Sequence, residues 1–261
     1  MTRGTAALAF ALAAAAVAVA AAACGGGSGV KQGAGTSGKP AAPATRVPIE
    51  DDSEPEEGVT IISARGRMEP SVIEVGLEPH KEDLGACYTT RVGRRTWLGG
   101  SVSIHWDIRR DGTVTAVRLA ESNLGAWPIE KCLLETARAA AFGKPIGGDA
   151  DFSLPLEFSL KGKLEVWDED RALKAVGGQV AALDACDKAK GVKGPPPEDV
   201  TITVYVGPQG KAQSAGFSSP KSVLDDVWAE CAEKAAMAWR LPDPRGVVAK
   251  LAVRYRARVD R

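Results

Sequence analysis

The chain has 261 residues, with 33 Lys and Arg against 33 Asp and Glu and a formal net charge of zero. That balance leaves no electrostatic footprint for a nucleic acid, whose binding needs a basic surface. The length allows one large domain or two small ones beyond a leader.

The first residues, with Arg3 as the basic group, precede an apolar run from Ala6 to Ala23, mostly alanine with Leu8, Phe10, Leu12, Val17 and Val19. A basic start, an apolar stretch and small residues at its end make a secretory signal. The run closes at Ala21-Ala22-Ala23-Cys24-Gly25, as in a bacterial lipobox whose cysteine is diacylated. Residues 1–23 are therefore expected to be removed and Cys24 to carry the lipid, giving an exported lipoprotein anchored in a membrane, the outer one facing the periplasm. An uncleaved span of about 18 apolar residues is the alternative. Alanine adds little transfer energy, and a glycine-rich polar stretch follows Cys24 where a stop-transfer flank would stand.

Residues 24–58 are rich in Gly, Ser, Ala, Pro and Thr and close on the acidic run Glu50 to Glu57. Such a composition cannot bury a core and reads as a disordered tether. A flexible segment of about 34 residues reaches roughly 30 Å.

After the tether the chain repeats itself. The four cysteines beyond Cys24 form two pairs of equal spacing, 45 positions from Cys87 to Cys132 and 45 from Cys186 to Cys231. In the first copy, residues 59–164, a helix is predicted from Ser71, with Glu74 completing a capping box and Gly76 and Pro79 bending it. Val102, Ile104, Trp106 and Ile108 then alternate with polar residues, turn at Asp111-Gly112 and continue from Thr113 to Ala120. A second helical pattern carries Ile129, Cys132, Leu133, Thr136 and Ala140 and stops near Phe142 and Pro145. A strand follows, Phe152 to Leu160.

The second copy, residues 165–261, has the same order. Its first helix spans about Asp170 to Lys188, weakened at Gly177-Gly178. Val200, Ile202, Val204 and Val206 alternate with Thr, Thr and Tyr before a turn at Gly207 to Gly210 and a strand from Lys211 to Phe217. Leu224, Val227, Trp228, Cys231 and Ala235 mark a helix that stops near Trp239 and Pro242, and Val247 to Ala257 is the last strand. Alternation and turn residues make both hairpins. The expected fold is α+β: two tandem α-β-β-α-β domains, each a three-stranded antiparallel sheet with two helices.

Four cysteines in an exported chain suggest disulfides, and the sequence alone permits three pairings. The repeat favours Cys87–Cys132 and Cys186–Cys231, because each bond then ties two helices of the same unit. A redox or metal role lacks its spacing: there is no Cys-x-x-Cys, and neither histidine, His80 or His105, stands near a cysteine as a metal ligand would. Gly-x-Ser-x-Gly is absent, and the acidic pairs Asp51-Asp52 and Asp225-Asp226 read as solvated charge. Trp106, Trp127, Trp228 and Trp239 fit core positions. No catalytic site, metal or cofactor is expected.

The Cys87-Tyr88 helix end, the Asp111-Gly112 hairpin, the later Cys132, Phe142-x-x-Pro145 and Gly147-Gly148 ahead of an aromatic strand together give a family likeness. From about Ser71 to Leu160 the chain resembles the TonB C-terminal fold, and more closely the AgmX/PglI C-terminal domain of gliding bacteria. From about Arg171 to Arg258 it resembles a diverged copy, with Asp187 for the tyrosine, Gln209-Gly210 for Asp-Gly and Arg245-Gly246 for the double glycine. The resemblance implies a non-catalytic periplasmic domain for protein contacts. TonB-like transducers begin with a transmembrane segment where this chain has a lipobox, so a direct share in energy transduction does not carry over.

The function expected is binding or scaffolding of other envelope proteins, as in motility, transport or secretion complexes. A structural spacer against cell wall or membrane, and a cryptic hydrolase, are the competing readings. In the last strand Lys250, Arg254, Arg256 and Arg258 form a basic row opposite Ala249, Leu251, Val253 and Tyr255. The TonB fold places such a strand at a sheet edge, where an acidic peptide could add by β-augmentation. Alternatively the row guards the edge against aggregation.

Overall fold

A computed structural model describes residues 65–257, which lie within one compact unit, Val59–Arg261. The leader, Cys24, the acidic run and Arg258 lie outside the described residues. Helix α1 (Pro70–Leu77) and helix α2 (Lys81–Val92) are joined by a 3-10 turn at Glu78–His80. The break falls at Pro79, whose missing N–H and fixed φ cannot continue α1. The capping box does not form. Proline at the first helical position fixes φ for the helix, so α1 begins at Pro70, and the Glu69 side chain ahead of it makes no cap bond.

Strands β1 (Gly100–Ile108) and β2 (Val114–Ser122) follow, then helix α3 (Trp127–Arg138) and strand β3 (Ala150–Phe158). The alternation works as read: Val102, Ile104, Trp106 and Ile108 are all buried. Trp106 stacks on Phe152 across the β1–β3 pair, at 4.9 Å between centroids, and its indole N–H donates to the Ala137 carbonyl of α3. The first sheet is antiparallel, in the order β2-β1-β3.

The second copy contains strand β4 (Leu164–Val166), helix α4 (Glu169–Val176), a 3-10 helix at Gly177–Lys188, strand β5 (Val200–Val206), strand β6 (Ala212–Ser218), helix α5 (Asp226–Met237) and strand β7 (Val248–Tyr255). The helix expected from Asp170 to Lys188 divides at Gly177, where φ is +53°, a conformation that glycine tolerates and that ends α4. Asp168 caps α4 by accepting from Arg171 N–H, and Asp225 caps α5 through Val227 and Trp228 N–H.

One offset in residue number relates α1 to α4, Cys87 to Cys186, Cys132 to Cys231 and α3 to α5. It also relates an unexpected feature. β4 pairs in parallel with β7, Leu164 opposite Val248, so the second sheet has four strands in the order β4-β7-β5-β6. In the first copy Arg65 makes the equivalent parallel bridge to Asp149. These segments have no room for alternation, which is why the expected three strands became four in the second sheet.

Cys87–Cys132 joins α2 to α3, and Cys186–Cys231 joins the 3-10 helix to α5, each with Cα atoms 5.6 Å apart. Two disulfides fit an oxidising, extracytoplasmic compartment. Where the first copy has Tyr88, Asp187 accepts from the Trp228 indole and the Tyr255 hydroxyl, each at 2.8 Å. Among the described residues no helix is long and apolar enough to cross a membrane.

Replacing Cys87 and Cys132 together by alanine should lower stability by about 4 kcal/mol in the chain-entropy model for a loop of this length. The same should hold for Cys186 with Cys231. Denaturant midpoints of the two double variants check it. Non-reducing peptide mapping should return only these two linkages among the four cysteines.

Candidate functional site

The two copies pack against each other and share one buried core. Their seam begins with the outer face of the second sheet. Its Thr203 and Tyr205 lie on the other side of the alternation from Ile202 and Val204, and both are buried. The Tyr205 hydroxyl donates to the Gly99 carbonyl at 2.7 Å, its ring lies 4.9 Å from Trp97, and Ser214 Oγ donates to the Gly125 carbonyl. The end of β6 also meets β2, with Ser219 N–H donating to the Leu119 carbonyl at 2.8 Å.

At the centre of the seam stands Glu130, fully buried in the first turn of α3. Its carboxylate accepts from the Ser122 hydroxyl at 2.6 Å, from Gly125 N–H at 3.2 Å and from Phe217 N–H at 2.9 Å. The first two belong to its own copy; the third is a donor of edge strand β6 in the other. A Cβ at Gly216 would lie 2.2 Å from Glu130 Oε2 and 2.5 Å from Ala126 N, so only glycine admits this approach. Burial pushes the Glu130 carboxyl up to about 7, against the Ser122, Phe217, Gly125 and Ala126 donors that pull it down. In the second copy the offset puts buried Ala229 at this place.

The seam and β4 between them shape a groove along β7. β4 covers Val248 to Lys250 only, and the chain leaves after Trp167 N–H donates to the Lys250 carbonyl. The alternation of an antiparallel strand turns the next residues of that set, Ala252 and Arg254, toward the same side, and among the described residues no strand pairs with them there. A cavity of about 590 Å³ follows this open stretch, walled by Val166, Trp167 and Leu173 on one side and by Asn123 of the first copy on the other. Val166 and Leu173 are exposed, at 72% and 52%.

The residues of the expected basic row have different surroundings. Lys250 turns into the seam, donating to the Gly99 carbonyl at 3.1 Å and Asn123 Oδ1 at 3.2 Å, 5.3 Å from the centroid of Tyr205. Arg256 bonds Asp199 at 2.6 Å, and Lys221 bonds the same carboxylate at 3.0 Å. Arg254 is exposed and lines the groove. Arg258 lies outside the described residues. Asn123, Trp167 and Leu173 escaped the sequence reading because they are distant in the chain and belong to no motif.

The outer face of the first sheet brings His105, Ser153, Asp107 and Asp151 together. His105 Nδ1 is 2.9 Å from Ser153 Oγ, and its Nε2 is 3.3 Å from Asp107 and 3.8 Å from Asp151. Arg118 holds Asp107 and Arg65 holds Asp151, so both carboxylates already have cationic partners in a cross-strand ladder. Among the described residues no group of histidine, cysteine and carboxylates is placed to hold a metal ion. No family model, no curated protein and no solved structure matches the chain.

Glu130 makes a pH prediction whose sign is fixed. The ordinary value of such a carboxyl is 4.5 and the folded value about 7. Between the two the folded state keeps a proton that the unfolded chain has lost, so stability falls as pH rises across that window and this contribution is gone above it. On this group's account the protein should be more stable at about pH 5 than at about pH 8 by roughly 2 to 3 kcal/mol. Unfolding in denaturant at both pH values checks it, and Glu130→Gln should lose that difference.

Proposed function

We propose that this chain is a non-catalytic envelope lipoprotein that binds or scaffolds other envelope proteins by taking an extended segment of a partner along β7. The observation that carries this reading is the contrast between its two equivalent edges. In β3 the outward position opposite Ser103 is Pro155, which has no N–H to offer. Proline there is a familiar guard against strand addition. In β7 the equivalent position, opposite Thr201, is Arg254, which keeps its N–H. One copy is closed to a partner strand and the other left open beside an apolar groove. Main-chain bonds to such an edge supply affinity, and flanking pockets supply selectivity.

The likeness to the AgmX/PglI and TonB C-terminal domains supports the same reading through residues of the first copy. The leader ending at Cys24, together with two disulfides outside the cytoplasm, supports a lipid anchor on the periplasmic side of the outer membrane. An anchored binding domain holds its partner near the membrane.

Two substitutions test the two halves. Cys24→Ser should move the protein from the membrane to the soluble exported fraction; retention in the membrane with the leader still attached would mean a transmembrane anchor. Ala252→Pro removes one outward donor of β7 without touching its pairing to β5. It should leave the melting temperature near that of the unsubstituted chain and weaken binding of peptides selected from a displayed library by about tenfold, the effect of one hydrogen bond worth about 1.4 kcal/mol. Selected peptides that bind both proteins equally would remove β7 from the site.

A further inference from the structure

We propose that the seam between the two copies carries an anion subsite, built from Lys250, Arg254 and Asn123, that takes the carboxylate of an acidic side chain in the segment bound along β7. It rests on the edge-binding reading above and names the chemistry of the partner. The cation comes first. Lys250 Nζ has two protein acceptors, the Gly99 carbonyl and Asn123 Oδ1, and both are neutral. Among the described residues neither Lys250 nor Arg254 has a carboxylate within ion-pair distance. Basic side chains nearby do have one: Arg118 with Asp107, Lys131 with Glu230, Arg138 with Asp226, and Arg256 and Lys221 with Asp199.

A half-buried ammonium without a counter-ion is costly, and an arriving carboxylate offsets that cost by a charge-assisted bond. Burial pulls the Lys250 ammonium down to about 8, and Glu130, the nearest buried acid, only partly opposes it. Glu130 cannot serve as the missing partner, since its oxygens are already held by Ser122, Gly125 and Phe217.

The cavity geometry converges on the same place. The groove of about 590 Å³ along β7 and a second cavity of about 350 Å³ at the seam share Asn123, Thr201 and Arg254 in their walls. Asn123 is fixed there: its Oδ1 also accepts from Ser101 N–H and its Nδ2 donates to Ser101 Oγ, each at 2.9 Å. Acidic residues stand at both ends, Glu169 beside the apolar wall and Glu121 and Asp199 in the second cavity. Glu169 and Glu121 disfavour an acid set beside them, whereas Asp199 is already held by Arg256 and Lys221. The preferred segment therefore has apolar side chains for Val166 and Leu173 and one central carboxylate for Lys250 and Arg254. Asn123 comes from the first copy, so the subsite exists only because the two copies are packed together.

The test uses the full-length chain and two capped peptides, Val-Thr-Val-Glu-Val-Thr-Val and its counterpart with glutamine for the glutamate. Binding is measured by calorimetry at low and at high salt. The glutamate peptide should bind about tenfold more tightly at low salt, and the advantage should shrink at high salt as exposed charge is screened. Lys250→Met and Arg254→Gln should each reduce the ratio of the two affinities. Asn123→Asp supplies an internal carboxylate to Lys250 and should abolish the preference with the lysine still present. Equal binding of the two peptides, or a preference that survives all three substitutions, overturns the subsite and leaves edge binding standing. Failure of both peptides to bind the unsubstituted chain overturns the edge reading and the subsite with it.

Discussion

The arrangement of the described chain depends on one buried acid. A carboxylate with no exposure to water must have its oxygens satisfied, because an unpartnered buried charge costs several kcal/mol. Glu130 meets that requirement only where Ser122 and Gly125 of its own copy and the Phe217 amide of the other come together. The relative position of the two sheets is thereby specified by hydrogen-bond geometry as well as by apolar contact, and a shift of β6 past α3 would strand a donor and an acceptor together. The apolar part of the seam is less directional: Phe217 sits edge-on between Trp127 and Trp228, with centroids 6.0 and 5.8 Å away.

This packing breaks the equivalence of two units that one offset otherwise relates. The outer face of the second sheet is buried by the first copy, while the corresponding face of the first sheet carries the partly buried polar ladder of His105, Asp107, Asp151 and Ser153. The burial of the two faces is therefore unequal, although α3 meets α5 and β2 meets β6 across the seam, and the two copies are free to diverge in what each edge does. Pro155 stands in one last strand, whereas beside Ala252 and Arg254 of the other no strand pairs among the described residues. Divergence at the residue level follows the same logic. Asp187, in the tyrosine's place, accepts from Trp228 and Tyr255, and a buried alanine, Ala229, stands in the place of Glu130.

Much of each unit was legible in the residues. Period-two alternation placed Val102 to Ile108 and Val200 to Val206 in buried strands, helical spacing placed Cys132 and Cys231 on inward stripes, and equal spacing pointed to the pairing of the cysteines. The local signals that failed did so where neighbours in space outweighed neighbours in sequence. Ser71 and Glu74 look like a capping box, but Pro70 starts the helix earlier. Leu164–Val166 is too short to show a period and becomes a strand only because β7 lies beside it. The burial of Thr203 and Tyr205 was not legible either, because alternation reports one buried side and has no way to report a second.

By itself the sequence indicated the repeated unit, its hairpins and most of its helices, since each arises from periodicities within a short stretch of chain, and the equal spacing favoured one of three cysteine pairings. It also marked Lys250 and Arg254 as a basic pair on one face of the last strand. Only the tertiary structure decided that Lys250 faces Asn123 and Gly99, residues more than a hundred positions away, while Arg254 stays open on the groove. Which polar groups end up sharing a buried seam depends on how two finished units dock, and docking is set by shape and by the few hydrogen bonds of Glu130. No periodicity in the chain encodes either.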